Sequence, residues 1–290
     1  MELYQFKKTG GILMFRHQKE LQFEAKPERP NPMIAKYLQE LIGGQYGEMS
    51  VAMQYLFQGW SCRGEEKYKD MLMDIATEEL GHVEMLATMV ARLLEDAPVE
   101  DQENAMKQDP TIAAVIAGMN PQQAIVSGLG PRPADSVGNP WSGGYIVASG
   151  NLLADFRANL NAESQGRLQV ARIYEMIDDR GVKDLLSVLL ARDSYHQNLW
   201  AAAVKELEET EGGILVPTTF PRENERKDIA YDFYNFSEGD ESKTGSWASG
   251  PALDGEGEYQ WLAEPKVEGE APKLKPVTPK MYGTPTPESK

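Results

Sequence analysis

The sequence predicts an all-α protein: a four-helix bundle with a long crossover loop, an N-terminal arm (1–30) and an extended, irregular C-terminal tail (213–290). Three observations carry this prediction. Long segments between residues 33 and 209 repeat apolar residues at three- and four-residue steps, the period of an amphipathic helix. Prolines and glycines punctuate the ends of those segments. Each segment also carries an acidic residue: Glu48 and Glu163 in small or apolar surroundings, and Glu79 and Asp193, followed three residues later by His82 and His196.

Pro27, Pro30 and Pro32 make helix improbable before residue 33, so the first thirty residues read as an irregular arm. Met14 is an alternative start within it. The first helix is expected from Met33 to Gly59, on Leu38, Leu41, Ile42, Met49, Met53, Leu56 and Phe57. Gly43, Gly44 and Gly47 fall inside this run and cost helix stability, which implies close packing against the backbone there. A second helix is expected from Glu65 to Leu94, with Met71, Leu72, Ile75, Leu80, Val83, Leu86 and Val90 as its stripe and Asp96-Ala97-Pro98 as its stop. Residues 99–143 hold a short helix candidate at Thr111–Ala117 and a Gly/Pro-rich loop, long enough to act as the crossover of a ferritin-like bundle. The third and fourth helices are expected over Tyr145–Asp178 and Val182–Glu209. After Gly213 no helical period persists. The tail's Tyr231, Phe233, Tyr234, Phe236, Trp247, Tyr259 and Trp261 are many aromatics for a solvated segment, and imply an arm packed on its own or a neighbouring subunit.

Residues i and i+3 share a helix face, so Glu79-Leu-Gly-His82 and Asp193-Ser-Tyr-His196 each aim an oxygen donor and an imidazole at one point. One Glu from each of two helices, with an acid-x-x-His step from each of the other two, is the ligand plan of a dinuclear carboxylate site in a four-helix bundle. A lone helical Glu is ordinarily a solvated surface residue, and Glu78 and Glu84 read that way. The conjunction of four helices, four acids and two histidines in this order is what points to metal. Carboxylates and imidazoles suit manganese, iron or zinc, and the absence of a thiolate cluster excludes a zinc-finger type of site.

Composition narrows the partners. The chain has 290 residues, 41% of them apolar and 26% charged, with a net charge of -16 that disfavours nucleic acid and anionic membrane surfaces. No apolar run is long enough to span a bilayer. The N-terminus lacks the apolar core of a signal peptide. Cys62 is the single cysteine, so there is no intrachain disulfide framework and a reducing, cytoplasmic location is expected.

The segments LIGGQYGEMS, EKYKDMLMDIATEELGHVEMLATMVARLLEDAP, WSGGYIVASGNLLADFRANLNAESQGRLQVARIYEM and LLARDSYHQ resemble the manganese catalases, the non-haem catalases of bacteria. The resemblance runs from Met14 to beyond Gly239. It implies two manganese ions per subunit, with Glu48 and His82 on one, Glu163 and His196 on the other, and Glu79 bridging. Asp193 is then next to the ligands rather than one of them. The implied reaction converts hydrogen peroxide to water and dioxygen as the pair cycles between Mn(II)Mn(II) and Mn(III)Mn(III). Proton transfer would run through Glu48 or Glu163, assisted by Tyr55. Some members carry Arg immediately before the third Glu, or Lys two turns after it; this chain has Ala162 and Val170, and Arg167 is the nearest replacement for the missing positive charge. Some members bind calcium between subunits, which maps to Asp70, Asp74, Asn235, Ser237 and Gly239, oxygen donors of the kind calcium takes. The family forms hexamers. Two rivals use the same residues: a ferritin-like di-iron oxidase or iron-binding protein, and a spore-coat-type structural protein with residual metal binding.

Overall fold

The computed structural model describes residues 19–95, 121–211 and 213–275. The helix candidate at Thr111–Ala117 and Met14 lie outside the described residues. The chain divides into two compact units, one ending at Val216 and the other starting at Pro217.

The first unit holds six helices among its described residues: α1 (Pro32–Gly43), α2 (Glu48–Ser61), α3 (Glu66–Leu93), the short α4 (Pro121–Ile125), α5 (Leu152–Met176) and α6 (Arg180–Glu211). α5 pairs with α6 and α2 with α3, and α1 also packs along α3. The bundle is therefore α2, α3, α5 and α6, with α1 extending α2 along its partner. Asn31 starts α1 as sequence pattern dictates: its Oδ1 accepts from the backbone N–H of Met33 (3.0 Å) and Ile34 (3.2 Å), with Pro32 in the first turn.

The expected single helix over Met33–Gly59 is two helices, because the chain breaks at Gly44–Gly47. A Cβ on Gly43 would lie 2.4 Å from the Ala134 carbonyl oxygen, and one on Gly47 would lie 2.7 Å from the Leu41 carbonyl. The crossover chain thus presses on the backbone at the break, and glycine is what lets it approach. The third helix starts at Leu152 rather than Tyr145. Gly143–Tyr145 is a 3-10 turn, followed by extended chain to Asn151, whose side chain caps α5 at the Ala154 N–H (3.0 Å). This strap is held by α2: Gln54 Oε1 accepts from Val147 N–H (2.8 Å) and Gln58 Nε2 donates to Val147 C=O (2.7 Å). α6 begins two residues earlier than expected, with Asp179 Oδ1 accepting from the Val182 N–H (3.0 Å).

Two apolar clusters fill the bundle. One gathers Leu38, Leu41, Met85, Leu86, Met89, Val170, Leu185 and Leu189; the other gathers Tyr55, Leu56, Leu72, Ile75, Phe156, Trp200, Val204 and Leu207. On every helix the candidate ligands fall in sequence between the two, so the polar layer lies where the apolar stripes are interrupted at one level. Residues 19–31 run without helix or strand, and Ala25 is buried, its carbonyl accepting from Arg92 Nη1 (2.6 Å). Trp200 is fully buried and its ring lies 4.9 Å from Tyr55 and 5.1 Å from Phe156. Trp200→Ala should cost ~3–5 kcal/mol by leaving a cavity between those rings; denaturant unfolding of the metal-free protein reads this, and a loss under about 1 kcal/mol would show that the cluster repacks freely.

The described residues of the second unit hold no α-helix, but two 3-10 turns and three short strands. β1 (Asp232–Tyr234), β2 (Ser249–Pro251) and β3 (Glu258–Leu262) form a sheet of order β1-β3-β2, with β1 parallel and β2 antiparallel to β3.

Candidate metal centre

Glu48 is the first residue of α2, a position the break at Gly44–Gly47 creates and where the helix N-terminus favours a negative charge. Glu79 and His82 share a face of α3, Glu163 sits mid-way along α5, and Asp193 and His196 share a face of α6. All six are buried, Glu79 to 1% exposure and both histidines to 0%. Two donor groups result: Glu48, His82 and Asp193 in one, Glu79, Glu163 and His196 in the other, the donor atoms of each within 4.8 Å of one another.

Glu79 spans both histidines. Its Oε2 lies 2.6 Å from His82 Nδ1 and its Oε1 2.7 Å from His196 Nδ1. Glu48 Oε2 faces His82 Nδ1 at 3.6 Å and Glu163 Oε1 faces His196 Nδ1 at 3.7 Å. The imidazole rings are near-parallel, 25° between planes and 6.0 Å between centroids. Both Glu79 oxygens and both Nδ1 atoms are buried without a hydrogen-bond partner. Such orphaned groups are costly unless a cation completes them, and a carboxylate-rich, thiolate-free donor set fits a manganese pair.

Electrostatics agree. Burial opposes ionisation of Glu79, but the His82 and His196 charges outweigh it and hold its carboxyl below the usual range. Burial, and then the Glu79 charge, push Glu48 and Glu163 well up. The same two causes lift Asp193 to about 7. Burial alone would lower the histidines; the Glu79 carboxylate reverses this and raises both. Glu79, ionised, therefore sits among groups that hold protons, and metal binding releases those protons.

Tyr55, fully buried, donates its hydroxyl to Glu163 Oε1 at 2.6 Å. Ala162 and Val170 are buried among apolar neighbours, so no positive charge enters from those positions. Arg167 is exposed and donates to Ser194 Oγ (2.9 Å); its charge acts on Asp193 without a direct contact. The guanidinium that meets a carboxylate at the site is Arg192, which pairs with Glu78.

Glu78 corrects a sequence expectation. It is not a free surface residue: its side chain is 18% exposed, with Oε1 3.6 Å from His82 Nε2 and Oε2 3.3 Å from His196 Nε2. Glu84 is likewise half-buried. The missed signal was spacing. Glu78 precedes His82 by one helical turn and Arg192 precedes His196 by one turn, opposite charges on facing helices.

Asp70 and Asp74 are exposed, one turn apart on α3. Asn235, Ser237 and Gly239 gather in one turn of the second unit: Asn235 Oδ1 accepts from the Ser237 N–H (3.2 Å) and its Nδ2 donates to Gly239 C=O (3.1 Å).

The model of the family described as manganese containing catalase matches residues 14–288. A manganese catalase of Bacillus subtilis (strain 168) is 63% identical over 93% of this chain and 98% of its own. An uncharacterized protein of the same organism, YjqC, is 61% identical over 96% of this chain and all of its own. The crystal structure of KatB, a manganese catalase from Anabaena, superposes with a TM-score of 0.69 at 29% identity, covering 87% of this chain and all of that one. No helix among the described residues is long and apolar enough to cross a membrane. The all-α bundle, the donor set at its centre and these likenesses place the chain in the manganese-containing catalase family.

Proposed function

We propose that this chain disproportionates hydrogen peroxide to water and dioxygen, with two manganese ions held by Glu48, Glu79, His82, Glu163 and His196. The observation that carries the reading is Glu79, a buried carboxylate whose two unpartnered oxygens each face the Nδ1 of a different histidine. When bound, the manganese pair supplies a two-electron couple that alternately reduces and oxidises peroxide. The chain does the rest. Glu79 joins the two halves as one unit. Glu48 and Glu163, one on each half, are the carboxylates placed to take and return the protons of peroxide. Tyr55 holds Glu163 by its hydroxyl, and Asp193 sets the charge beside Glu48 and His82. The apolar clusters on either side exclude bulk water.

The test is oxygen evolution from peroxide by purified protein whose metal content is quantified in the same sample. Near two manganese per chain with rapid, haem-independent oxygen release is the expected result. Manganese without oxygen release would favour a structural role, and iron in its place a ferritin-like oxidase. Tyr55→Phe leaves Glu163 Oε1 without its donor, and should lower turnover about 10-fold with the fold intact, in the range set by losing a ligand-orienting hydrogen bond; unchanged turnover would remove Tyr55 from the mechanism.

The same reading extends to assembly and place: a cytoplasmic homohexamer with calcium between subunits, held by Asp70 and Asp74 of one and Asn235, Ser237 and Gly239 of the next. The exposed pair of acids on α3 and the oxygen-rich turn at 235–239 support it. Calcium content and solution mass, measured before and after chelation, decide this.

A further inference from the structure

We propose that Glu78 is the shared positioning residue of both histidine ligands, accepting the Nε2–H of His196 and facing that of His82, and so leaving each Nδ1 free for metal. The proposal rests on the manganese reading above. It starts from an asymmetry of the rings. Nδ1 of His82 faces Glu48 and Glu79, and Nδ1 of His196 faces Glu79 and Glu163, the proposed ligands. Nε2 of each ring faces a different carboxylate. Among the described residues, the one acidic side chain within 4.0 Å of either Nε2 is Glu78, at 3.6 Å for His82 and 3.3 Å for His196. The His196 contact is a hydrogen bond; the His82 contact is beyond that range, and His82 Nε2 is a buried group that only Glu78, among the described carboxylates, faces.

A neutral imidazole carries one N–H, and the acceptor beside one nitrogen decides which nitrogen keeps the proton. Because the rings are near-parallel, one carboxylate spans them, an oxygen to each. Glu78 and Glu79 are neighbours on α3, some 100° apart around the helix, so they meet the same two rings at opposite nitrogens. Glu78 is held in that pose from outside. Arg192 donates to both its oxygens, Gln22 Nε2 lies 3.4 Å from Oε1, and the Arg192 guanidinium in turn lies 4.8 Å from the Tyr195 ring. The positive charge that Ala162 and Val170 do not provide is therefore spent on this carboxylate.

Glu78→Gln discriminates sharply because it keeps size and removes one acceptor. The amide oxygen accepts from a single ring, while the amide NH2 faces the other Nε2 and forces it to accept, placing that ring's proton on Nδ1. One of the two manganese ions should then bind about 10–100-fold more weakly while the other is nearly unaffected. Glu78→Ala should weaken both. The readouts are manganese per chain after desalting, affinity by chelator competition, and the ring tautomers by 15N-histidine NMR of zinc-loaded protein, which has only three histidines to assign. Wild type should show Nε2–H on both ligand rings, and Glu78→Gln on one alone. Wild-type stoichiometry, affinity and tautomers in Glu78→Gln would overturn the proposal; if Glu78→Ala does not fold, the isosteric Gln variant still decides. Wild-type protein that binds two manganese ions without releasing oxygen would overturn the catalase reading and leave this one standing.

Discussion

Glu79→Ala is expected to abolish the metal pair. The variant should retain well under one manganese per chain, and oxygen evolution should fall about 1000-fold or more, beyond the 10–100-fold typical of residues that only orient ligands. The reason is position rather than charge count. Glu79 is the carboxylate within 2.7 Å of both histidines, so its loss removes a donor from each half at once. Its removal also leaves His82 and His196 buried without their common counter-charge. Stability should survive better than activity, because the two apolar clusters lie to either side and do not depend on it. Metal analysis and circular dichroism on one preparation check this; two bound manganese ions in Glu79→Ala would show that the pair is held without a bridge.

Metal removal should reverse the pH dependence of stability. In the metal-free protein Glu48, Glu163, Asp193, His82 and His196 all have pKa values raised above their ordinary ones. A group raised in the folded state stabilises fully below its unfolded pKa and loses that contribution as pH climbs through the folded value. Asp193, raised from 3.8 to about 7, sets the clearest window. Across it this residue alone withdraws about 1.4 kcal/mol per pH unit. Glu79 has the opposite sign, but its contribution is lost only in acid, below the ordinary carboxylate range. The melting temperature of metal-free protein should therefore fall between pH 5 and pH 8. Manganese needs deprotonated ligands, so its stabilisation grows over the same range, and the loaded protein should hold or gain stability. Melting curves of both forms at four pH values test this; metal-free protein that is more stable at pH 8 than at pH 5 would refute the assignment of protons to the buried acids.

Much of the molecule was written locally. The acid-x-x-His steps and the apolar stripes each depend on residues within one or two helical turns, and periodicity reads such spacing directly. The polar layer was legible for the same reason: Glu79–His82 and Asp193–His196 interrupt their stripes at positions that periodicity alone defines. What the chain order could not show is decided by contacts distant in sequence. Helix propensity ran the first helix through Gly44–Gly47, but the Ala134 backbone packs against Gly43 and the chain breaks there, which makes Glu48 a helix N-terminus. Nothing near residue 147 announces that Gln54 and Gln58 will bind its backbone and delay the third helix to Leu152. The tail's sheet escaped because β1 and β3 pair in parallel across more than twenty residues, with strands too short to alternate legibly. Arg167 and Arg192 are both one turn from a ligand, and only the packing of α3 against α6 decides that Arg192 reaches Glu78 while Arg167 turns to Ser194. The sequence by itself determined which acids and histidines share a helix face, because a helix fixes the spacing of its own side chains. The tertiary structure alone decided what surrounds them, because the counter-charge, the strap and the break each come from another segment of the chain.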